Sequence, residues 1–156
     1  QVGDRLVLMG PAPGYKIDAD ADWFVLAGDD TALPAIETIL AELPARARAL
    51  VFVEVADSGE ARELRSPARV DVQWVVRRAD PAAPGQALDA ALRALPALPS
   101  GPGRIYVGCE STAMRRIRDF WVKERGAEVR SVVARGYWKQ GNANNPDRDY
   151  ADEPAR

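Results

Sequence analysis

Two polar turns carry the residue types that could hold a phosphate or a nucleotide. They consist of Gly28, Asp29, Asp30, Thr31, Ala32, Leu33 and Pro34, and of Gly108, Cys109, Glu110, Ser111 and Thr112. Each turn leads from an apolar run into a helical pattern, where free N–H groups and the helix dipole favour phosphate. Thr31, Ser111 and Thr112 add hydroxyl donors. Gly28 lets the backbone approach a ligand closely.

The same residues also have a purely structural explanation. Asp30 or Thr31 could cap one helix and Ser111 the other. Pro34 fits the first turn of a helix without any ligand. Two such turns beside one predicted crevice nevertheless favour a nucleotide site. The first turn lacks the G-x-G-x-x-G fingerprint, and its paired carboxylates suit a ribose hydroxyl, an amide or a cap better than pyrophosphate.

Composition excludes several other chemistries. The 156 residues include no histidine, so a histidine general base, a Ser-His triad and a histidine-ligated metal are excluded. Cys109 is the single cysteine, which excludes an internal disulfide and a zinc cluster, and we expect no metal site. The net charge of −2, from 21 basic and 23 acidic residues, gives no sign of a nucleic-acid partner. No apolar run approaches the roughly 20 residues that span a bilayer, so no membrane insertion is expected.

The strands that position these turns follow from the apolar patterns. Continuous apolar runs predict strands buried on both faces at residues 23–27 and 50–53. Alternating apolar residues over 70–76 predict a half-exposed third strand near a sheet edge. Residues 105–107 predict a short fourth strand, and residues 129–134 predict a fifth.

Helical spacing of apolar residues predicts the connections between these strands. Helices are expected over 33–43, 88–95 and 113–121, the last ended by Gly126, with a short helix over 58–64. The alternation of strands and helices predicts a three-layer α/β fold with a five-stranded parallel sheet in the order 3-2-1-4-5. Ligands bind such sheets where the strand order reverses, here between the first and fourth strands, beside both polar turns.

The two ends of the chain differ from this pattern. Residues 1–13 contain a β-like run and a Gly-Pro break, as if one domain ended there, and we expect the chain to be part of a longer protein. Residues 22–140 are expected to form the α/β domain. Residues 141–156 are polar and rich in Asn, Asp and Pro, which predicts a disordered tail.

Three segments, in order and at matching spacing, resemble one known family. Residues 28–36 resemble the G-D-E-T-A-L-P-A-I signature of the siderophore-interacting proteins, the flavin-dependent ferric-siderophore reductases. The similarity continues through residues 51–57 and resumes at 136–141, which look like the closing G-Y-W-[RK]-x-G of that family. The match spans about residues 3–141.

The resemblance implies two domains with separate tasks. In that family an N-terminal β-barrel holds FAD, and a C-terminal domain binds NAD(P)H with the fold seen in ferredoxin-reductase-type flavoenzymes. Residues 22–140 would be the second domain, and residues 1–13 a remnant of the last barrel strand. The flavin-binding R-x-Y-[ST] segment does not occur in this sequence, so FAD is expected in the missing domain. This chain alone is expected to be inactive.

The implied reaction passes a hydride from NADPH or NADH to FAD, and then electrons to Fe(III) in a bound siderophore, so that iron is released in the cytoplasm. No residue of this chain would be catalytic by itself, because the chain would bind and orient the nicotinamide nucleotide. The expected partners are the FAD domain and the ferric siderophore.

Two residues depart from the family pattern. Asp30 stands where the family usually has Glu, which leaves the carboxylate one methylene shorter. Cys109 stands where Gly is expected, and its side chain could narrow the crevice. We expect Cys109 to be a small buried hydrophobe rather than a redox group.

The choice of nucleotide stays open at this level. Glu54 ends the second strand, where an acid reaches an adenosine ribose and favours NADH. Arg77 and Arg78 end the third strand and could approach a 2′-phosphate, which favours NADPH. The alternative is that Arg77 and Arg78 are solvated edge charges.

The end of the fifth strand supplies the remaining candidates. Tyr137 and Trp138 could stack near the flavin, or could pack in the core or across the domain interface. Arg135 and Lys139 flank them and could attract an anionic siderophore, with Lys139 matching the basic position of the closing motif. A solvated helix face is expected to consist of Arg115, Arg116, Arg118 and Lys123.

Two other functions remain as alternatives. The chain could be a stand-alone nucleotide-binding or regulatory module without a flavin domain. It could also be the NAD(P)H domain of a flavin reductase that serves another acceptor.

Overall fold

One six-stranded sheet organises the part of the chain that the computed structural model describes, residues 15–77, 84–143 and 149–151. The strands are β1 (Trp23–Asp29), β2 (Arg48–Val55), β3 (Arg69–Val76), β4 (Gly103–Glu110), β5 (Val132–Trp138) and β6 (Asp149–Ala151). Their order in space is β3-β2-β1-β4-β5-β6. The first five strands are parallel, and β6 is antiparallel to β5. The predicted α/β fold and the order 3-2-1-4-5 are therefore confirmed.

The predicted helices are present with small changes at their ends. They are α1 (Leu33–Glu42), α2 (Gln86–Arg93) and α3 (Ser111–Asp119), and a π-helical turn (Phe120–Glu124) continues α3. The chain leaves this turn through Gly126, whose φ of 69° is the left-handed conformation expected of a terminating glycine.

Two shorter segments differ from the sequence-based expectation. The short helix expected over residues 58–64 is only a 3₁₀ turn, Ser58–Glu60. The Asp57 carboxylate closes this turn by accepting a hydrogen bond from Gly59 N, and the chain is extended again at Ala61. Residues 129–131, expected to begin the fifth strand, form a 3₁₀ turn in which Ser131 N donates to Glu128 O. The strand itself begins at Val132.

Each face of the sheet has its own apolar core. On one face α1 packs with Ile36 and Leu40 against Phe24 and Leu26 of β1. On the other face α2 and α3 pack against the alternate residues of the same strand. That core includes Val25, Ala27, Leu88, Leu92, Met114, Ile117 and Trp121. Burial of β1 on both faces explains its continuous apolar run.

The edge strand β3 is the least covered, as its alternating sequence predicted. Val72 and Val76 are exposed, whereas Val70 and Trp74 pack partly against the core of the α1 face. The connection from β2 to β3 contains only the 3₁₀ turn, so it adds no α-helix to cover this strand. Strand β3 is therefore an edge with one neighbour, β2.

The chain ends are only partly described. The predicted barrel remnant, residues 1–13, and the candidate Arg78 lie outside the described residues. In the predicted tail, residues 149–151 pair with β5 as β6, whereas residues 144–148 and 152–156 are not described. Within the described ranges, none of the helices combines the length and apolar character needed to cross a membrane.

Candidate functional site

The site lies where β1 and β4 run side by side and end in the two polar turns. Gly28 of β1 is the register partner of Gly108 of β4. A Cβ atom on Gly28 would lie 2.5 Å from the Gly108 carbonyl oxygen and 2.6 Å from Cβ of Ala32. Ala32 therefore packs directly on the sheet because β1 has no side chain at this level. Leu33 is buried after it, and Pro34 lies in the first turn of α1.

Asp29 joins three parts of the site through one buried carboxylate, which is only 2% exposed. Its Oδ1 accepts hydrogen bonds from Thr31 N at 3.0 Å and from Thr31 Oγ1 at 2.5 Å. Its Oδ2 accepts from Glu110 N at 3.2 Å and from Trp138 Nε1 at 2.8 Å. Burial raises the pKa of Asp29, although the hydrogen bonds from Thr31 and Trp138 act against that rise.

Glu110 caps α3 in place of the expected Ser111. Its Oε2 accepts from Thr112 N at 2.7 Å and from Ala113 N at 3.0 Å. Its Oε1 accepts from Gln140 N at 3.3 Å. The hydroxyl of Ser111 instead donates to the carbonyl oxygen of Trp138 at 3.0 Å, so the second turn is tied to the end of β5.

Glu54 has both carboxylate oxygens engaged within the chain and is 1% exposed. Oε1 accepts from Arg77 Nε at 2.9 Å and from Gly85 N at 3.2 Å. Oε2 accepts from Leu88 N at 2.9 Å. Glu54 thus holds the N-terminal turn of α2 against the end of β2, which is a different arrangement from an acid aimed at a ribose.

Arg77 and Asp30 form the exposed rim above these buried acids. The Arg77 guanidinium is fixed through Nε by Glu54, and its Nη2 lies 3.9 Å from Asp30 Oδ2. Their side chains are 33% and 42% exposed. The hydrogen bond and the charge of Glu54 raise the pKa of Arg77 and outweigh the opposing effect of burial, the largest single influence. A cation and an anion are therefore available to a ligand at the ends of β1 and β3.

The sequence suggested that free N–H groups at the two turns could bind a phosphate. In the structure, carboxylates of the chain accept hydrogen bonds from several of these groups. Asp29 engages the N–H of Thr31, and Glu110 engages the first N–H groups of α3. The hydroxyls of Thr31 and Ser111 also donate within the chain. Asp29 and Glu110 each lie one residue before a cap that the sequence suggested, Asp30 or Ser111. Their carboxylates place negative charge at both helix N-termini.

Cys109 is fully buried in the core of the α2–α3 face, as expected of a small hydrophobe. Its thiol donates to the carbonyl oxygen of Glu110 at 3.6 Å. Burial, helped by the negative charges of Asp29 and Glu110, raises the pKa of Cys109 well above its usual value. The thiol therefore stays protonated near neutral pH and is a poor nucleophile.

The sequence-predicted Tyr137 pairs with Tyr106, which sequence reasoning missed, on the α1 face of β4 and β5. The hydroxyl oxygens of Tyr106 and Tyr137 are 2.5 Å apart, and the ring centroids of Tyr15 and Tyr106 are 5.4 Å apart. Burial raises the pKa of Tyr15 to about 12 and raises that of Tyr106 further. The signal that could have found Tyr106 was the alternation of side chains along β4, which places Tyr106 on the same face as Gly108 of the second turn.

Arg135 lies in the middle of β5, and Lys139 follows its last residue. Arg135 is the register partner of Gly108, and Lys139 forms an isolated bridge with Asn142 just beyond the strand. The register shifts between Cys109 and Glu110, so that Glu110 pairs with Trp138. This bulge brings Trp138 to Asp29 while Tyr137 reaches Tyr106.

Arg116 departs from the expected solvated helix face. Its Nε donates to Asp89 Oδ2 at 3.0 Å, and its Nη2 donates to Gly85 O at 3.2 Å. Arg116 therefore fastens α3 to the turn that begins α2. Lys123 follows the expectation better, because it is exposed and pairs with Asp119 one helical turn away. Among the described residues, no group of three or more His, Cys, Asp or Glu could hold a metal ion.

The fold is a doubly wound α/β domain, and its two polar turns lie at the strand-order reversal, the usual ligand position in this class. A model of the siderophore-interacting protein family matches residues 21–141. The chain therefore belongs to the siderophore-interacting protein family.

Individual relatives agree with this assignment. The chain is 35% identical over 163 residues to an uncharacterised protein of Mycobacterium tuberculosis, covering 99% of this chain and 58% of the relative. It is 32% identical to the ferric vibriobactin reductase ViuB of Vibrio cholerae, covering 90% of this chain and 52% of the relative. A siderophore utilization protein from T. fusca is similar with a TM-score of 0.69 and 38% identity, covering 83% of this chain and 49% of that protein. The chain thus spans about half the length of these relatives.

Proposed function

We propose that this chain is the NAD(P)H-binding part of a flavin-dependent ferric-siderophore reductase. The observation that carries the proposal is the position of the family segment, residues 28–36, at the β1–β4 crevice beside a rim of opposite charges. Names of relatives supply the reaction class, because one of them is a ferric vibriobactin reductase. The FAD domain of the same protein and a ferric siderophore are the proposed partners, and the cytoplasm is the proposed location.

The donor set at the rim fits a nicotinamide nucleotide. The half-exposed carboxylate of Asp30 can accept from ribose hydroxyls, and the Arg77 guanidinium can contact a phosphate. Thr112 is exposed at the start of α3 and offers a further hydroxyl. When bound, NAD(P)H supplies the hydride that reduces FAD, and FAD supplies single electrons to Fe(III) of the siderophore.

The chain's own residues bind and orient in this proposal. Gly28 and Ala32 keep the first turn low on the sheet, so a flat ring could approach the ends of β1 and β4. Tyr137, 36% exposed beside Tyr106, offers an aromatic surface towards the proposed FAD domain. Lys139 and Arg135 supply positive charge along β5 and just after it for an anionic siderophore.

The contacts of Glu54 and Arg77 favour NADPH over NADH. An acid that selects NADH must accept hydrogen bonds from the adenosine ribose. The Glu54 carboxylate already accepts from Arg77 and from the α2 backbone, and it is buried. Arg77 is held with its Nη groups towards the rim, where a 2′-phosphate could pair with them.

A titration of the chain with NADPH and, separately, NADH tests the proposal. Tryptophan fluorescence reports binding, and we expect saturation by NADPH at the lower concentration. Arg77→Ala should weaken NADPH binding by about tenfold or more, since a charged hydrogen bond contributes about 1.5–3 kcal/mol. Arg62→Ala, which removes an arginine paired with Glu37 on the surface, controls for the loss of positive charge and should leave the affinity unchanged.

The reaction itself is tested with the full-length protein. Reduction of a ferric siderophore by NADPH, with FAD bound, is the expected result. Activity only with quinones or dyes would instead support a flavin reductase with another acceptor. Nucleotide binding by a full-length protein that has no flavin would support a stand-alone nucleotide-binding module.

A further inference from the structure

We propose that Asp29 is a positioning residue that couples the nucleotide-facing turn Asp30–Ala32 to Trp138, so that a nucleotide bound at the turn moves the end of β5. This inference rests on the proposed function for the identity of the ligand. The coupling itself rests on contacts between side chains that are 109 residues apart in the sequence.

The two oxygens of the carboxylate serve different elements. Oδ1 accepts from the backbone and the hydroxyl of Thr31, inside the turn. Oδ2 accepts from the indole of Trp138 and from Glu110 N, at the ends of β5 and β4. A carboxylate is planar and rigid. If Thr31 shifts and pulls Oδ1 with it, the carboxylate therefore rotates and Oδ2 moves away from the indole of Trp138.

Burial makes this connection strong. Asp29 is 2% exposed, and hydrogen bonds to an ionised acceptor away from water are about twice as strong as neutral ones. Its backbone belongs to the central strand β1, whose residues are all buried. The strand therefore provides a fixed pivot, while the turn on one side and Trp138 on the other can move.

The end of β5 is built so that it can respond. The bulge between β4 and β5 leaves the regular ladder at this point. Across the bulge Trp138 pairs with Glu110, and side chains hold it as well, through its indole on Asp29 and its carbonyl oxygen on Ser111. Lys139 and the half-exposed Tyr137 are the neighbours of Trp138, so movement of Trp138 repositions the groups proposed to face the siderophore and the flavin domain.

The test uses the indole N–H signals of the ¹⁵N-labelled chain, which contains four tryptophans. Loss of one signal in Trp138→Phe assigns Trp138. Trp23 is the internal reference, because it begins β1, at the other end of the strand from Asp29, and its indole donates to Gly101 O. On titration with NADPH, we expect the Trp138 signal to move in step with saturation and the Trp23 signal to stay in place.

Variants separate coupling from simple support of the fold. Thr31→Val removes one donor to Oδ1 and should shift the Trp138 signal without any nucleotide, whereas Thr38→Val, an exposed threonine on α1, should not. Asp29→Asn keeps the size of the side chain and one acceptor oxygen. It should weaken NADPH binding about tenfold and abolish the NADPH-dependent shift. Asp71→Asn, in an exposed pair at the other edge, should change neither.

The energetic signature is non-additivity. Trp138→Phe should weaken NADPH binding about threefold, and Asp29→Asn should then cost less in that background than in the unaltered chain, because contacting residues couple. Additive effects of the two substitutions on NADPH affinity would overturn the coupling. A Trp138 signal that is unchanged in Thr31→Val would overturn it as well. Failure of NADPH to bind the unaltered chain would refute the nucleotide role, while the shift caused by Thr31→Val would still decide whether the two regions are coupled.

Discussion

The parallel strands begin at one side of the sheet, its amino edge, and end at the other, its carboxyl edge, and charged side chains are used in opposite ways at the two. At the carboxyl edge Asp29, Glu54 and Glu110 are almost fully buried and accept hydrogen bonds from backbone N–H groups. At the amino edge Arg48 and Asp71 form an exposed pair across the starts of β2 and β3. The difference follows from topology, because every helix of a parallel α/β sheet begins at the carboxyl edge and brings its positive end there.

The carboxyl edge is therefore both a structural and a candidate binding region. Buried acids there satisfy helix ends that would otherwise need a cap or a ligand. They leave a rim, Asp30 and Arg77, whose charges remain accessible. At the amino edge the Arg48–Asp71 pair lies in water and contributes little to stability.

The largest expected effect comes from removing Glu54. Glu54→Ala leaves Arg77 and the first N–H groups of α2 without their buried acceptor, so the free energy of unfolding should fall by about 3 kcal/mol. Urea unfolding followed by circular dichroism measures it. Asp71→Ala at the amino edge is the control, with a loss of about 0.5 kcal/mol or less. Equal losses at the two edges would contradict the comparison.

A Cβ at Gly28 should have the next largest effect. Gly28→Ala places a methyl group against the Gly108 carbonyl oxygen and Ala32, and the backbone must shift, at about 2 kcal/mol. Gly108→Ala should cost about 1 kcal/mol, since its Cβ would lie 3.0 Å from Ala32 Cβ and 3.2 Å from Tyr106 Oη. Thermal unfolding of both variants gives the ranking, and a reversed order would mean that the turn does not rest on β1.

The cap of α3 should contribute less. Glu110→Gln keeps one acceptor oxygen for Thr112 N and Ala113 N but loses the bond from Gln140 N and the negative charge. We expect a loss of about 0.5 kcal/mol, and about 1 kcal/mol for Glu110→Ala. Ser111→Ala should be milder than Glu110→Ala by the same unfolding measurement. The opposite result would restore Ser111 as the principal cap.

The pH dependence of stability should give the smallest signal. Burial raises the pKa of Asp29 in the folded chain above its ordinary value of 3.8, so the folded state binds this proton more tightly than the unfolded state. The resulting stabilisation is complete below about pH 3.8 and is lost as pH rises through the folded pKa. Asp29→Asn should flatten that part of the stability–pH curve. An unchanged slope would show that Asp29 titrates normally.

Much of the fold could be predicted because its signals are local. The continuous apolar runs of β1 and β2, the alternation in β3 and the helical stripes all reflect burial of neighbouring residues. The exceptions were short segments such as Val129–Ser131, where a turn hydrogen bond from Ser131 N to Glu128 O outweighs β-propensity.

The site was only partly predictable, because its contacts join residues far apart in sequence. The position of both turns beside one crevice followed from the strand order. The roles of individual residues did not follow, since Glu54 caps a helix that begins more than 30 residues later. Strand alternation placed Tyr106 on one face of β4 but did not indicate its partner Tyr137, and Arg116 gave no local sign of its partner Asp89.

The sequence by itself determined most of the strands and helices and the family, because these depend on local periodicity and on motifs of contiguous residues. The order of the five parallel strands followed from the rules for connections in α/β sheets. Only the tertiary structure decided how the charges are used. Parallel packing brings the ends of β1, β2 and β4 to the starts of three helices, and burial there converts Asp29, Glu54 and Glu110 from plausible ligand contacts into internal acceptors.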